Sequence, residues 1–144
     1  MKSAKFDNEF IKTLLKEKEG LNLDFKQKIT SKEKIAKTLS AFANSEGGFL
    51  VIGMSDNKNI TGIDPEEERY MIESANEDFC VPGVKLIFDE VKVSDDEGPV
   101  SENSKEKILL LVKVLKSQGT LIYCKNKAGE LKAYRRFNNQ SLAI

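Results

Sequence analysis

Residues 6–18 place Phe6, Phe10, Ile11, Leu14 and Leu15 on one helical face, which predicts a helix over Phe6–Lys18 ended by Gly20. Leu21 to Lys26 then alternates apolar and polar, a short strand with Asp24 and Lys26 on its polar face. Thr30 to Glu33 reads as a capping box ahead of Ile35, Ala36, Leu39, Phe42 and Ala43, so a second helix is predicted to run to about Asn44. Gly47-Gly48 breaks it, and the unbroken apolar run Phe49–Met54 suits a buried strand. After a turn at 56–59, Ile60–Ile63 is predicted as a short return strand. Pro65 opens a third helix behind which Glu66, Glu67 and Glu68 complement the dipole, with Tyr70, Met71 and Ala75 towards the core. Val84–Val93 and Ile108–Leu115 read as strands separated by a polar loop at 94–105. Thr120–Lys125 and Leu131–Phe137 read as a hairpin around Lys127-Ala128-Gly129. The order predicts one α+β domain over residues 1–144, a mixed β-sheet covered by about three helices. The chain stops soon after its last predicted strand, as a piece of a longer protein would.

Charge changes this picture. The 23 basic and 23 acidic side chains cancel overall. Residues 1–39 nevertheless carry 10 basic and 6 acidic groups, residues 40–104 carry 4 and 15, and residues 105–144 carry 9 and 2. Net charges of +4, −11 and +7 follow by subtraction. If the two ends of the chain meet, they make a basic surface that an overall net charge of zero conceals.

Composition removes most hydrolytic chemistry. With 0 histidines there is no Ser-His-Asp triad, Cys-His dyad or H-E-x-x-H zinc site. Cys80 and Cys124 supply no disulfide framework, and a cytoplasmic location is the default expectation. Apolar stretches of about five residues fall far short of the roughly 20 needed to span a bilayer, so no membrane partner is expected. Gly48 to Gly53 has the spacing of a phosphate loop, but Met54 and Ser55 stand where that loop needs Lys and Ser or Thr. The four residues between the glycines are large and apolar, and a Walker A site is rejected. A glycine pair there marks a helix C-cap and a close backbone approach.

Two chemistries remain open. Glu19, Asp24 and Asp56 are carboxylates that could hold a magnesium or manganese ion, although each also suits a turn, strand or helix-end charge. Lys26 and Lys28 follow the first strand, Lys32, Lys34 and Lys37 crowd the second helix, and Lys125, Lys127, Lys132, Arg135 and Arg136 cluster late. Tyr123, Tyr134 and Phe137 are interleaved with that late cluster. Cations neutralise phosphates and aromatic faces stack on unpaired bases; the same rings also suit a core.

Leu23-Asp24-Phe25-Lys26, the block Ala41-Phe42-Ala43-Asn44-Ser45-Glu46-Gly47-Gly48 through Ile52-Gly53-Met54-Ser55-Asp56, and Ile60-Thr61-Gly62-Ile63 together resemble the Schlafen AlbA-like domain. Tyr134-Arg135-Arg136-Phe137-Asn138-Asn139 looks like the family's late Y-x-R-x-G-S segment, and the resemblance runs from about Glu19 to Ser141. It implies an α+β nucleic-acid-binding module, for DNA or RNA, with a regulatory role. In some Schlafen members, acidic residues matching Glu19, Asp24 and Asp56 form a metal-dependent ribonuclease site. Those members carry glutamate where this chain has Asp24, whose carboxylate is set back by one methylene, and the late motif here lacks its Gly at Asn138. The expectation is therefore nucleic-acid binding by Lys26, Lys28, Arg135 and Arg136 on phosphates with Tyr134 stacking, and no resident cofactor. Asn44 is expected to bond to the turn after its helix. The alternatives are a magnesium- or manganese-dependent RNA endonuclease at Glu19, Asp24 and Asp56, and a protein-interaction module. A domain this small also leaves a sheet edge or helix face for a homodimer.

Overall fold

The strands divide into two sheets where alternation alone predicts one. The computed structural model describes residue 6 and residues 8–55, 57–94 and 106–144. Its elements in chain order are α1 (Asn8–Lys16), β1 (Leu23–Lys26), α2 (Lys32–Asn44), β2 (Gly48–Ile52), α3 (Pro65–Phe79), β3 (Cys80–Val81), β4 (Leu86–Ser94), β5 (Glu106–Val114), β6 (Tyr123–Lys125), β7 (Leu131–Phe137) and β8 (Gln140–Ala143). The first sheet has the order β1-β2-β5-β4, with β1 and β2 parallel and the other pairs antiparallel. The second, β3-β6-β7-β8, is antiparallel throughout.

Helix α2 lies between the sheets, and its sequence shows why it can. From Ile35 to Ala43 all residues but Lys37 are buried, so this helix is covered nearly all round and not on one stripe. Leu50, Ile52, Leu110 and Val112 of the first sheet and Cys80, Ile122, Cys124 and Tyr134 around the second join one core with it and with Ile72 and Ala75 of α3. A smaller core on the other face of the first sheet packs Ile11 and Leu14 of α1 on Leu23, Phe25, Val51, Leu109 and Leu111. Phe10 meets Phe49 there at 5.2 Å between ring centroids.

The glycine pair works as predicted. Gly47 has φ +76° and donates its N–H to Phe42 O at 2.8 Å, closing the end of α2. A Cβ on Gly48 would stand 2.7 Å from Asn22 O, because β2 runs that close to the chain entering β1.

Several local expectations are corrected. The cap of α2 is Ser31, whose Oγ accepts from Lys34 N at 3.2 Å, not Thr30. Ile60–Ile63 gives a single bridge between Met54 and Ile60 in place of a strand. Tyr70 faces solvent while Glu68 and Ile72 turn inward, since the core-facing stripe of α3 passes through 68, 72 and 75. The short strands β3 and β8 were not predicted, each being too brief to show alternation. Residues 95–105 of the expected loop lie outside the described residues.

Candidate nucleic-acid interface

The two basic ends of the chain meet. Helix α2, from the first basic block, packs on β7, from the last, and Lys37 Nζ stands 5.7 Å above the Tyr134 ring. At the N-terminal end of α2, Lys26, Lys28 and Lys34 line a shallow depression of about 150 Å³ with Thr30 and Ser31. Lys28 and Lys34 are exposed and Lys26 is half-exposed. The positive pole of the helix adds to the attraction for an anion. Lys34 and Lys37, one turn apart on α2, carry the cationic track from this depression towards Tyr134.

The predicted late cluster is split by the strand it occupies. Tyr134 is half-buried beneath Lys37. Arg135 is exposed on the opposite side of β7. Arg136 is buried and lies 4.7 Å over the Phe42 ring. Its guanidinium donates to Gly20 O at 2.8 Å and to Ser141 Oγ at 3.3 Å, and it pairs with Asp24 Oδ1 at 3.5 Å. Buried against Phe42 and bonded to internal acceptors, Arg136 fastens β7 to β1 from inside the fold. Sequence reasoning placed Asp24 on a solvated strand face; it is buried, with Lys26 Nζ 3.1 Å from Oδ2 on the side opposite Arg136.

The other carboxylates sit as follows. Glu19 Oε2 accepts from Phe25 N at 3.0 Å. Asp24 turns towards Arg136 and α2, whereas the neighbouring Phe25 faces the α1 side. Asp56 lies outside the described residues. Among the described residues no group of three or more carboxylates or thiols could hold a metal ion.

Asn44 has a structural role, with partners other than the turn expected. Its Oδ1 accepts from Ile122 N at 2.8 Å, and its Nδ2 donates to Ile122 O at 2.8 Å and Tyr134 O at 3.0 Å. Ser40 Oγ also donates to Ile122 O, and Ser45 Oγ accepts from Arg136 N. The A-F-A-N-S segment is thus the clasp between α2 and the second sheet.

Sequence reasoning missed Lys58. Its Nζ donates to Leu15 O at 3.0 Å and to Glu17 O, and lies 3.7 Å from the Phe25 ring centroid. Burial lowers its pKa against the opposing pull of Glu19 and Glu17. Nothing in the sequence ties a lysine in a turn to a helix end 41 residues away. Cys80 and Cys124 are directly opposite each other on β3 and β6, buried and unbridged. Burial, and to a lesser degree Cys124, pushes the Cys80 thiol up to about 12, and burial raises Cys124 also.

This arrangement, a mixed sheet and an antiparallel sheet clasped around one buried helix with its N-terminus ringed by lysines, defines an α+β domain with a cationic surface. The family profile described as Schlafen, AlbA_2 matches residues 19–144, and the chain belongs to that family. No curated protein matches the chain. Among solved structures it is similar to the crystal structure of the DIP2311 protein from Corynebacterium diphtheriae, at 14% identity and a TM-score of 0.47. That match covers 86% of this chain and 22% of the other, so the chain spans about a fifth of the length of that protein. Among the described residues no helix is long and apolar enough to cross a membrane.

Proposed function

We propose that this domain binds nucleic acid, as a binding and regulatory module, through the cationic surface at the start of α2. The observation that carries the reading is the depression in which Lys26, Lys28 and Lys34 converge beside the Thr30 and Ser31 hydroxyls. The Lys28 and Lys34 ammonium groups beside a helix N-terminus supply both charge and hydrogen-bond donors to a phosphate, and Lys26, whose Nζ pairs with Asp24, adds charge. Membership of the Schlafen AlbA_2 family supports a nucleic-acid ligand over other polyanions. Lys37 extends the track along α2, and Arg135 adds a second cationic point on the far side of β7.

Titration of labelled single-stranded RNA and duplex DNA at two salt concentrations tests the proposal. Affinity should fall with salt, with a log–log slope of roughly −0.9 per duplex phosphate or −0.7 per single-strand phosphate contacted. Lys28→Gln with Lys34→Gln should weaken binding and flatten that slope by up to about two such contacts. Absence of binding to either nucleic acid at low salt would refute the proposal.

A further inference from the structure

The second sheet has two unlike faces. Helix α2 covers one, where Cys124, Tyr134 and Arg136 point. The register places Tyr123 opposite Ala133, and Arg135 and Phe137 follow at two-residue steps along β7 on that same, other face. Ala133 is buried among its neighbours, but the larger side chains of that face are exposed: Phe137 is 50% accessible, Tyr123 38%, Leu131 51% and Leu142 44%. Lys125 and Arg135 are exposed on it as well. Solvated sheet faces ordinarily alternate to polar residues, so a row of exposed rings and aliphatic groups marks a contact surface.

Charge selects the occupant. The four strands Cys80–Val81, Tyr123–Lys125, Leu131–Phe137 and Gln140–Ala143 contain no Asp or Glu, while Lys125, Lys132, Arg135 and Arg136 lie in them. A second copy laid face to face would set Lys125 and Arg135 against their own equivalents with no carboxylate from these strands between them. Along the strand axis the order is Lys125, Tyr123, Arg135, Phe137, in steps of about 7 Å, so Tyr123 and Phe137 stand about 14 Å apart. Alternating cations and rings suit a strand whose phosphates are tracked by charge and whose bases lie flat on aromatic faces. Duplex DNA offers base edges in its grooves and phosphates outside, and no free base face to such rings.

We infer that this face is a stacking platform for unpaired bases, with Tyr123 and Phe137 as the two rings and Arg135 between them, and that the ligand is a single-stranded nucleic acid. The inference rests on the nucleic-acid reading above but uses a different face of the domain.

The test is fluorescence anisotropy with a labelled single strand of about 12 nucleotides, and the matching duplex, on the full chain. Tyr123→Leu and Phe137→Leu keep apolar bulk and remove the ring; both positions are solvent-exposed and on different strands, so either alone suffices if the other fails to fold. The single strand should bind more tightly than the duplex. Each variant should weaken single-strand binding by about 5- to 100-fold, with the salt slope and duplex binding unchanged. Unchanged single-strand affinity in a folded ring variant, while Lys28→Gln with Lys34→Gln weakens it, overturns the platform and leaves the nucleic-acid reading intact. Absence of binding to both ligands by the unaltered chain overturns both. A self-association lost in sedimentation on removing a ring, with oligonucleotide affinity unmoved, makes the face a homodimer surface and also overturns the inference.

Discussion

Replacing Asn44 by alanine removes the clasp between α2 and the second sheet without touching any lysine. The amide closes a two-way pair with Ile122, accepting from its N–H and donating to its carbonyl at 2.8 Å each, and donates to Tyr134 O at 3.0 Å. Ile122 is buried, so its N–H would find no water in exchange. A buried donor left unmade costs about 1–3 kcal/mol, and a lost neutral hydrogen bond about 1 kcal/mol. Ile122 O keeps its bond from Ser40 Oγ at 2.8 Å, which limits the loss on that side. The sum is about 2–4 kcal/mol, to be read by urea denaturation at pH 7. An unchanged m-value would show that stability, and not the unfolded state, had moved. Asn44→Asp keeps the acceptor for Ile122 N but sets a carboxylate oxygen against two carbonyls, so it should destabilise at neutral pH and recover in part on acidification. Ser40→Ala combined with Asn44→Ala should be non-additive, because both side chains serve the same carbonyl. A loss below about 1 kcal/mol for Asn44→Ala would refute the reasoning, since it would mean that the Asn44 bonds add little to packing and to the Ser40 and Ser45 bonds.

Glu68 gives a pH-dependent case: it is buried, accepts from Ile29 N at 3.1 Å, and burial raises its pKa above the ordinary carboxylate value. A raised pKa in the fold means that stability from this group is full below the unfolded-state pKa and is lost as pH rises through the folded value. Glu68→Gln, neutral throughout and still able to accept from Ile29, should therefore match or exceed the parent in thermal stability at pH 7, with the difference vanishing near pH 4; a clear deficit at pH 7 would contradict this. Gly48→Ala should destabilise by about 2 kcal/mol or more, because its Cβ would meet the Asn22 carbonyl at 2.7 Å, and an unchanged melting temperature would show that β1 can retreat. Buried thiols, with Cys80 pushed up to about 12, should stay unlabelled by an alkylating reagent at pH 8 until denaturant is added; rapid labelling of the folded chain would contradict that placement.

Helices were legible in the sequence because their signals are local. The period of Phe10, Ile11 and Leu14, the proline at 65 and the glycine pair at 47–48 act within a turn or two of themselves. The division into two sheets was not, because it depends on which strand pairs with which. Cys80–Val81 has two residues and acquires its identity as a strand from Tyr123 and Cys124, far along the chain. Asn44 announced itself through the family block, yet its partners Ile122 and Tyr134 lie 78 and 90 residues on.

The sharpest case is Tyr134-Arg135-Arg136, three adjacent residues read together as one cationic cluster. Period two sends Tyr134 and Arg136 to the covered face of the sheet and Arg135 to the open one. Length and partners then separate the two that share a face: Tyr134 stops under Lys37, while Arg136 reaches across Phe42 to the Gly20 carbonyl and Asp24. A guanidinium bonded to internal acceptors contributes to the fold and is withdrawn from the surface, so the formal charge of the C-terminal block overstates its accessible charge. The cationic side chains left accessible are divided between the lysines at the start of α2 and the Lys125–Arg135 face, two surfaces that mutation can separate. Charge removal at Lys28 and Lys34 tests attraction to any phosphate chain; ring removal at Tyr123 and Phe137 tests whether the bases of that chain are unpaired.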